Sequence, residues 1–204
     1  MVEGILAGLV KSLKTGIGSK VETSLMEALL DFQFEVLTTY LNDGNRKPLR
    51  SSYNNAHAYL SAPYGIYKTK DSFIAIAMTP VPALGKLLNL KAIEGYTDQK
   101  EWFTKRDEIK KLIGDWLITE NSRFWLDILQ PADIWCSEVL EWDQMLKNEG
   151  FKIIDMLQRI TRSDGLDIET LRCPISIDNQ IFKSPKAAPI VGQDTESIIK
   201  EFLL

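Results

Sequence analysis

The sequence is poor in the residues that metal, redox and nucleic-acid-binding proteins need. It has one histidine, His57, and two cysteines, Cys136 and Cys173, without C-x-x-C spacing. We therefore expect no metal site, and both thiols reduced and packed. Its 24 Lys and Arg are outnumbered by 28 Asp and Glu, for a net charge of −4. The clustered basic surface of a nucleic-acid-binding protein is not predicted.

Long apolar runs are also missing. The longest uncharged apolar runs, 5–10 and 74–78, are far shorter than the roughly 20 residues of a membrane-spanning helix. Glu3 stands where a secretory signal has Lys or Arg. We expect no membrane partner and a cytoplasmic location. The 204 residues, 45% of them hydrophobic, suffice for a buried core.

The first 43 residues have a helix–extended–helix pattern. Apolar residues at helical spacing predict a helix over 2–14 that stops at the basic turn and glycine of 14–16. Glycine and alanine thin one face of it, where another backbone is expected to come close. An extended piece follows at 19–23, and Ser24 with Glu27 forms a capping-box pattern that opens a second helix, which is predicted to end near 42–44. This order is typical of an α/β layer, whose parallel strand needs neighbours. The rest of the sequence supplies none, so the sheet is predicted to be incomplete within this chain.

The middle of the chain begins with a polar, loop-like stretch over 44–61, which we interpret as a linker. After it, the pattern predicts a hairpin of 66–69 and 73–78, helices, an extended piece and a further helix. The later predicted segments are 83–90, 98–119, 120–129 opened by Thr119, 134–139 and 141–148. Two features are assigned structural roles: the five tryptophans are expected to pack in the core, and the basic cluster at 105–111 to form a solvated face.

The last 54 or so residues are less regular. Residues 151–160 are predicted to be extended or mixed, and 171–175 and 185–189 irregular. A closing helix is predicted after Asp194 as its N-cap.

Three blocks of sequence resemble the family III CoA-transferases, the group of formyl-CoA transferase, carnitine CoA-transferase and α-methylacyl-CoA racemase. The first, GILAGL at 4–9 with TGIGSKVETSL at 15–25, is similar to the family's helix, turn and strand. The second, APYGIYKTKDSFIAI at 62–76, resembles its small-domain hairpin, and the third, APIVGQDTE at 188–196, its closing segment. The blocks follow the family's order from end to end.

The resemblance implies an α/β fold that is only the carboxy-terminal portion of such an enzyme. Residues 1–43 would be part of the large, Rossmann-like domain, 44–61 the linker and 62–150 an α+β small domain. Residues 151–204 would return to pack on the large domain. The partners implied are the amino-terminal half of the enzyme as a separate chain, a second copy in a homodimer, or both.

The activity implied is transfer of coenzyme A between carboxylic acids through enzyme-bound acyl and aspartyl-CoA intermediates. Coenzyme A or acyl-CoA would be a substrate, with no covalently bound cofactor. The family's aspartate lies ahead of the block matched at Gly4, and Glu3 is not at its distance. Thr79 stands where the racemase branch has a glutamate. The resemblance therefore assigns no catalytic residue to this chain.

Three residues are candidates for contact with the acyl-CoA substrate: His57, Tyr64 and Tyr67. Each has a simpler alternative, a loop position for the histidine and packing around the hairpin for the tyrosines. Alternatives to a split CoA-transferase also stay open. The chain would then be a non-catalytic remnant or dimerisation module of the same fold, a racemase-like fragment, or part of a longer reading frame.

Overall fold

The computed structural model describes residues 1–44, 46–53 and 57–202. By internal contacts the chain divides into two compact units, 1–139 and 140–204. The division into large-domain part, linker, small domain and return segment stays a prediction.

The chain opens with three helices, α1 (Val2–Thr15), α2 (Leu25–Phe32) and α3 (Phe34–Asn42). Helix α1 ends as predicted, at Gly16, whose φ of 72° suits glycine at a helix C-terminus. The predicted capping box is confirmed. Ser24 Oγ accepts from the Glu27 N–H at 3.2 Å, and the Glu27 carboxylate accepts from the Ser24 N–H at 2.7 Å.

The single helix predicted from Ser24 to near 42–44 is interrupted at Gln33, whose backbone leaves helical geometry at φ −94° and ψ 11°. The Gln33 side chain donates to the Leu29 carbonyl oxygen at 3.2 Å, the same oxygen that accepts from its own backbone N–H. The prediction of one continuous helix was therefore wrong at this residue.

The extended piece at 19–23 packs on α1 but pairs with no strand among the described residues. Val21 lies against the thin face of α1, where a Cβ at Gly4 would stand 2.8 Å from its Cγ1. The small residues were predicted to admit another backbone, and the close neighbour here is instead the Val21 side chain. The parallel strand expected here is not formed within the described chain, because a strand requires a ladder partner.

A three-stranded antiparallel sheet follows, with β1 (Gly65–Lys68), β2 (Phe73–Ile76) and β3 (Cys136–Glu138) in the order β1-β2-β3. The predicted hairpin and the extended piece within 134–139 are confirmed. Between β2 and β3 lie five helices and a 3₁₀ turn (Gln130–Ala132): α4 (Val81–Leu87), α5 (Lys91–Glu94), α6 (Gln99–Thr104), α7 (Arg106–Leu117) and α8 (Ser122–Leu129).

Helices cover one face of this sheet and form the core. The buried members are apolar and come from both layers: Tyr67, Ile74, Ile76, Leu84, Ile93, Ile109, Ile113, Leu117 and Leu129. Strand residues alternate, so Ile66 and Ala75 point to the opposite face. One face of the sheet is therefore left open by the described residues.

Two helix starts differ from the prediction. The helix predicted over 98–119 breaks at Lys105, which separates α6 from α7. Helix α8 is capped by Asn121, whose side chain accepts from the Phe124 N–H at 2.8 Å, and not opened by Thr119. The Thr119 hydroxyl is used elsewhere, donating to the Trp116 carbonyl at 2.6 Å.

The basic cluster at 105–111 was predicted to form a solvated face, and this prediction was wrong for two of its members. Arg106 and Lys110 are buried. Both lie on the same stripe as the core residues Ile109 and Ile113, because positions three and four apart share a helix face. Lys105 and Lys111 are the members that pair with carboxylates on the surface.

The second unit has α9 (Trp142–Lys147), α10 (Glu149–Ile153), the hairpin β4 (Leu157–Thr161) with β5 (Asp167–Leu171), the short hairpin β6 (Ser176–Ile177) with β7 (Gln180–Ile181), and α11 (Thr195–Phe202). The helices predicted over 141–148 and after Asp194 are confirmed, whereas α10 and β5 were missed. Buried Arg172 donates to the carbonyl oxygens of Ile154, Asp155 and Cys173.

Two further expectations concern the burial of the cysteine thiols and the presence of membrane-spanning helices. Cys173 is exposed, so the prediction that both thiols are packed was wrong for it. Within the described ranges, no helix is long and apolar enough to cross a bilayer.

Candidate functional site

The open face of the three-stranded sheet carries a cavity of about 800 Å³, within the usual range for small-molecule sites. Three short stretches, 64–66, 75–77 and 135–137, form its floor, one from each strand. Arg50 and His57 complete the lining from the segment that precedes the sheet.

The floor of the cavity consists of two rows of side chains that run across the strands. In the first row Ile66 pairs with Ala75, and Ala75 with Ser137. One step further, Ala77 donates its N–H to the Trp135 carbonyl at 2.8 Å, which places Tyr64, Ala77 and Trp135 in the second row. The central strand thus contributes only methyl groups, with larger side chains on both sides. The result is a trough over β2.

Arg50 and His57 are positioned by a single buried guanidinium. Arg106 donates to the carbonyl oxygen of Ala58 at 2.7 Å and to that of Leu49. Leu49 immediately precedes Arg50, and Ala58 immediately follows His57. The two ends of the intervening loop are therefore fixed to the start of α7.

Asp107, the next residue of α7, binds residues 51 and 52 after Arg50. Its carboxylate accepts from the Ser51 and Ser52 hydroxyls, each at 2.6 Å, and from the Ser52 N–H at 2.9 Å. These donors stabilise the ionised form, so the hydrogen bonds from Ser51 and then Ser52 lower the pKa of Asp107. Tyr53 packs so closely on α7 that a Cβ at Gly114 would stand 2.8 Å from its Oη.

His57 lines the cavity and uses one ring nitrogen in a backbone hydrogen bond. Its Nδ1 accepts from the Tyr59 N–H at 3.2 Å, and its Nε2 faces the Glu35 carboxylate at 3.8 Å. The Nδ1 lone pair is therefore occupied, which leaves Nε2 as the ring nitrogen for other contacts. The arrangement makes His57 a wall of the cavity.

The two candidate tyrosines lie on opposite sides of the sheet. Tyr64 lines the cavity. Tyr67 is fully buried on the helix side, where its hydroxyl donates to the Pro63 carbonyl at 2.5 Å and burial raises its pKa. Tyr67 presents no surface to a ligand and does not line the cavity. Substrate contact by His57 and Tyr64 stays a prediction.

Two lining residues were missed from the sequence, Arg50 and Trp135. Trp135 is 78% exposed, so the prediction that every tryptophan is a packing residue was wrong for it, as it was for Trp142. The signal was present in the alternation along β3. Ile134 and Cys136 pack toward the core, which turns Trp135 and Ser137 to the open face.

The groups that line the cavity are better suited to binding a ligand than to catalysing a reaction. Its residues include no carboxylate, and burial raises the pKa of the Cys136 thiol, which disfavours the thiolate. Among the described residues, no group of three or more His, Cys, Asp or Glu side chains is placed to hold a metal ion. Arg50 has no carboxylate partner in the described part of the chain, and it is the one permanent positive charge in the lining.

Comparison with known proteins places this fold in a family of enzymes. The (R)-2-hydroxy-4-methylpentanoate CoA-transferase of Clostridioides difficile is 26% identical over 208 residues, which cover 98% of this chain and 51% of that enzyme. The succinate–glutarate CoA-transferase of Agrobacterium fabrum is 23% identical, covering 98% of this chain and 50% of its own length. The cinnamoyl-CoA:phenyllactate CoA-transferase of Clostridium sporogenes is 22% identical over the same shares. The chain spans about half the length of these relatives.

Solved structures agree on the fold. Rv3272 of Mycobacterium tuberculosis matches with a TM-score of 0.73 at 17% identity, over 96% of this chain and 52% of that one. A CAIB/BAIF family protein of Brucella suis matches with a TM-score of 0.69 at 19% identity, over 98% and 52%. The model of the family described as CoA-transferase family III matches residues 1–195. The chain belongs to CoA-transferase family III.

Proposed function

We propose that this chain is the acyl-binding half of a CoA-transferase that moves coenzyme A between carboxylic acids, with the catalytic aspartate and most coenzyme contacts on another polypeptide segment. The observation that carries the proposal is a family match over 1–195 combined with a cavity whose lining has no carboxylate. Such a cavity can hold an acyl group but cannot form an acyl anhydride.

The relatives support the reaction class but not one substrate. Their names refer to a branched hydroxy acid, to two dicarboxylic acids and to aromatic acids. All three are CoA-transferases. We therefore propose the reaction class from the family alone. The geometry of the cavity determines which class of acid it can hold.

The exposed surface of α1 and α2 supports a missing half. Leu25 and Phe32 on α2 are 86% and 88% exposed, and no residue of α1, α2 or α3 is buried. Exposed apolar area of this extent is typical of an interface. The relatives are about twice as long as this chain. We therefore propose that an amino-terminal portion like theirs, on another polypeptide segment, covers these helices.

In the proposed reaction the aspartate carboxylate of that portion attacks the thioester carbonyl and displaces the coenzyme A thiolate, which leaves a mixed anhydride. The thiolate then attacks the aspartyl carbonyl, releases the donor carboxylate and leaves an aspartyl-CoA thioester. The acceptor carboxylate takes coenzyme A by the same two steps in reverse. This chain's part is to hold the acyl group and exclude water.

Co-expression of the chain with an aspartate-bearing amino-terminal half tests the proposal. We expect a stable complex that transfers coenzyme A from an acyl-CoA donor to a free acid, measured by mass spectrometry of the new thioester. Changing the partner's aspartate to asparagine should abolish transfer and keep the complex. A complex with no transfer would favour the non-catalytic remnant, and the absence of any complex would reject a split enzyme.

A further inference from the structure

We propose that the trough on the open sheet face is a subsite for a monocarboxylic acid with a branched or aromatic tail, in which Arg50 binds the carboxylate and Ala75 and Ala77 set the size of the tail. The inference deepens the proposed function and rests on it only for the role of that acid as a coenzyme A acceptor or donor.

The size of the trough follows from the sheet. Neighbouring strands lie about 4.8 Å apart, so β1 and β3 stand roughly 10 Å from each other across β2. Tyr64 and Trp135 occupy the two ends of one row, and Ala77 lies between them. A methyl group at the centre of the row leaves room for one ring or one branched chain. A larger residue on β2 would fill that space.

The chemistry of the lining distinguishes one acid class from another. Apart from the single guanidinium of Arg50, the walls are supplied by apolar and aromatic side chains, backbone and the polar side chains of His57 and Ser137. An ion pair with a guanidinium stabilises one carboxylate. A second carboxylate on the same ligand would lie against Ile66 or the alanines without a charged partner, which carries a desolvation penalty. The geometry therefore favours a monocarboxylate over a dicarboxylate.

Arg50 is also held in place for this role. The Leu49 carbonyl is bound by buried Arg106, and Ser51 by Asp107, so both neighbours of Arg50 are fixed. The Arg50 side chain itself remains exposed and forms no ion pair with a described residue. Because the backbone at Arg50 is already fixed, anion binding needs to order only its side chain.

Ligand-observed ¹⁹F NMR on the 204-residue chain tests the inference without coenzyme A or a partner. The probe is 3-(4-fluorophenyl)propanoate, with its neutral amide as the uncharged analogue and glutarate as a competitor. We expect saturable binding of the acid, binding at least about tenfold weaker for the amide, and no competition by glutarate at similar concentration. A tenfold loss is the effect expected from removing one charge-assisted hydrogen bond.

Two variants and two matched controls locate the site. Arg50→Gln and Ala77→Leu should each weaken binding of the probe by about tenfold or more. Arg46→Gln, an exposed arginine that pairs with Asp43, and Ala92→Leu, an exposed alanine on α5, should leave it unchanged. Circular dichroism checks that each variant is folded. Ala75→Leu, on the same open face, provides a second size test.

The outcomes separate this inference from the proposed function. Absence of saturable binding, equal binding of acid and amide, effective competition by glutarate, or insensitivity to both Arg50→Gln and Ala77→Leu would overturn the subsite. Coenzyme A transfer by the complex without such binding rejects the subsite alone. Binding without transfer supports the subsite and rejects the proposed enzyme.

Discussion

Val21 lies against the backbone of Gly4, so close that a Cβ at residue 4 would stand 2.8 Å from the Val21 Cγ1 atom. A second glycine of the same helix, Gly8, is less constrained, because its added Cβ would lie 3.5 Å from Val21, an ordinary contact. The two glycines therefore have different reasons to be there, although both lie in α1.

We expect Gly4→Ala to loosen the packing of 17–23 on α1, since the short, stiff valine side chain must move to admit the new methyl group. Gly8→Ala should instead stabilise α1 by about 0.5–1 kcal/mol through helix propensity. Hydrogen exchange measured by mass spectrometry on α1 and residues 17–23 distinguishes the two. Equal protection in both variants would show that Val21 does not pack as described.

Lys110 is a charged residue buried between the sheet and its covering helices. It is 0% exposed, and its Nζ has no hydrogen-bond partner among the described residues. Burial, and then the charge of Arg106, lower the pKa of its ammonium group. We expect Lys110→Met to raise the free energy of unfolding by about 1–3 kcal/mol, because it removes an unsatisfied buried charge and keeps the volume. Urea denaturation at pH 7 measures it.

The advantage of Lys110→Met should depend on pH. Below the lowered pKa the ammonium is charged in both states, and the full penalty of burial opposes folding. As the pH rises from there toward the ordinary pKa of lysine, the folded state holds the neutral amine and the penalty fades. The stability gap should therefore narrow in alkaline buffer. Lys111→Met, which removes an exposed partner of Asp115, is the matched control and should give no gain.

Features of this structure that depend on contacts between nearby residues could be predicted from the sequence, whereas features that depend on distant contacts could not. The Gly16 helix end, the Ser24–Glu27 capping box and the hairpin around 70–72 all follow from contacts a few residues apart, and all were predicted correctly. The burial of Arg106 and Lys110 was not, because it depends on carbonyl groups and core residues far along the chain. Propensity cannot indicate such partners.

The candidate site shows the same division. His57 and Tyr64 could be chosen from their position beside the hairpin. Alternation along 134–137 could have indicated Trp135, but Arg50 could not be chosen, since it reaches the cavity only when its segment is bound to α7. Family resemblance predicted the fold class and reaction class, and the cavity became visible only with strand register.

The lowered pKa of Asp107 predicts that the stability of the segment carrying Arg50 decreases in acid. Because hydrogen bonds lower its pKa in the folded state, the carboxylate contributes stability that is present above the ordinary pKa of aspartate, about 4, and is lost as the pH falls through the lowered value. Asp107→Asn should therefore cost about 1 kcal/mol at pH 7. The difference from wild type should shrink in acid.

Thermal denaturation of wild type and Asp107→Asn at pH 7 and pH 3 measures that difference. Asp115→Asn, an exposed carboxylate on the same helix, should be nearly neutral at both values. A pH-independent gap between wild type and Asp107→Asn would contradict a role for the ionised carboxylate, and would point instead to altered packing.

The apolar surface of α2 predicts the behaviour of the chain without a partner. Leu25 and Phe32 are largely exposed, and apolar surface removed from water contributes roughly 25 cal/mol per Å². We therefore expect the isolated chain to self-associate at micromolar concentration, as measured by light scattering. Leu25→Ser with Phe32→Ser should shift the chain toward monomer without changing its circular dichroism, because neither side chain contributes to the core.

Val191→Ser is the control for this effect, since Val191 is a fully exposed apolar residue outside these helices. It should leave the degree of association unchanged. An amino-terminal half that covers α1 and α2 should suppress association of the wild-type chain and bind the Leu25→Ser, Phe32→Ser variant more weakly, because both effects draw on the same apolar area. A wild-type chain that stays monomeric at micromolar concentration would show that this surface needs no cover.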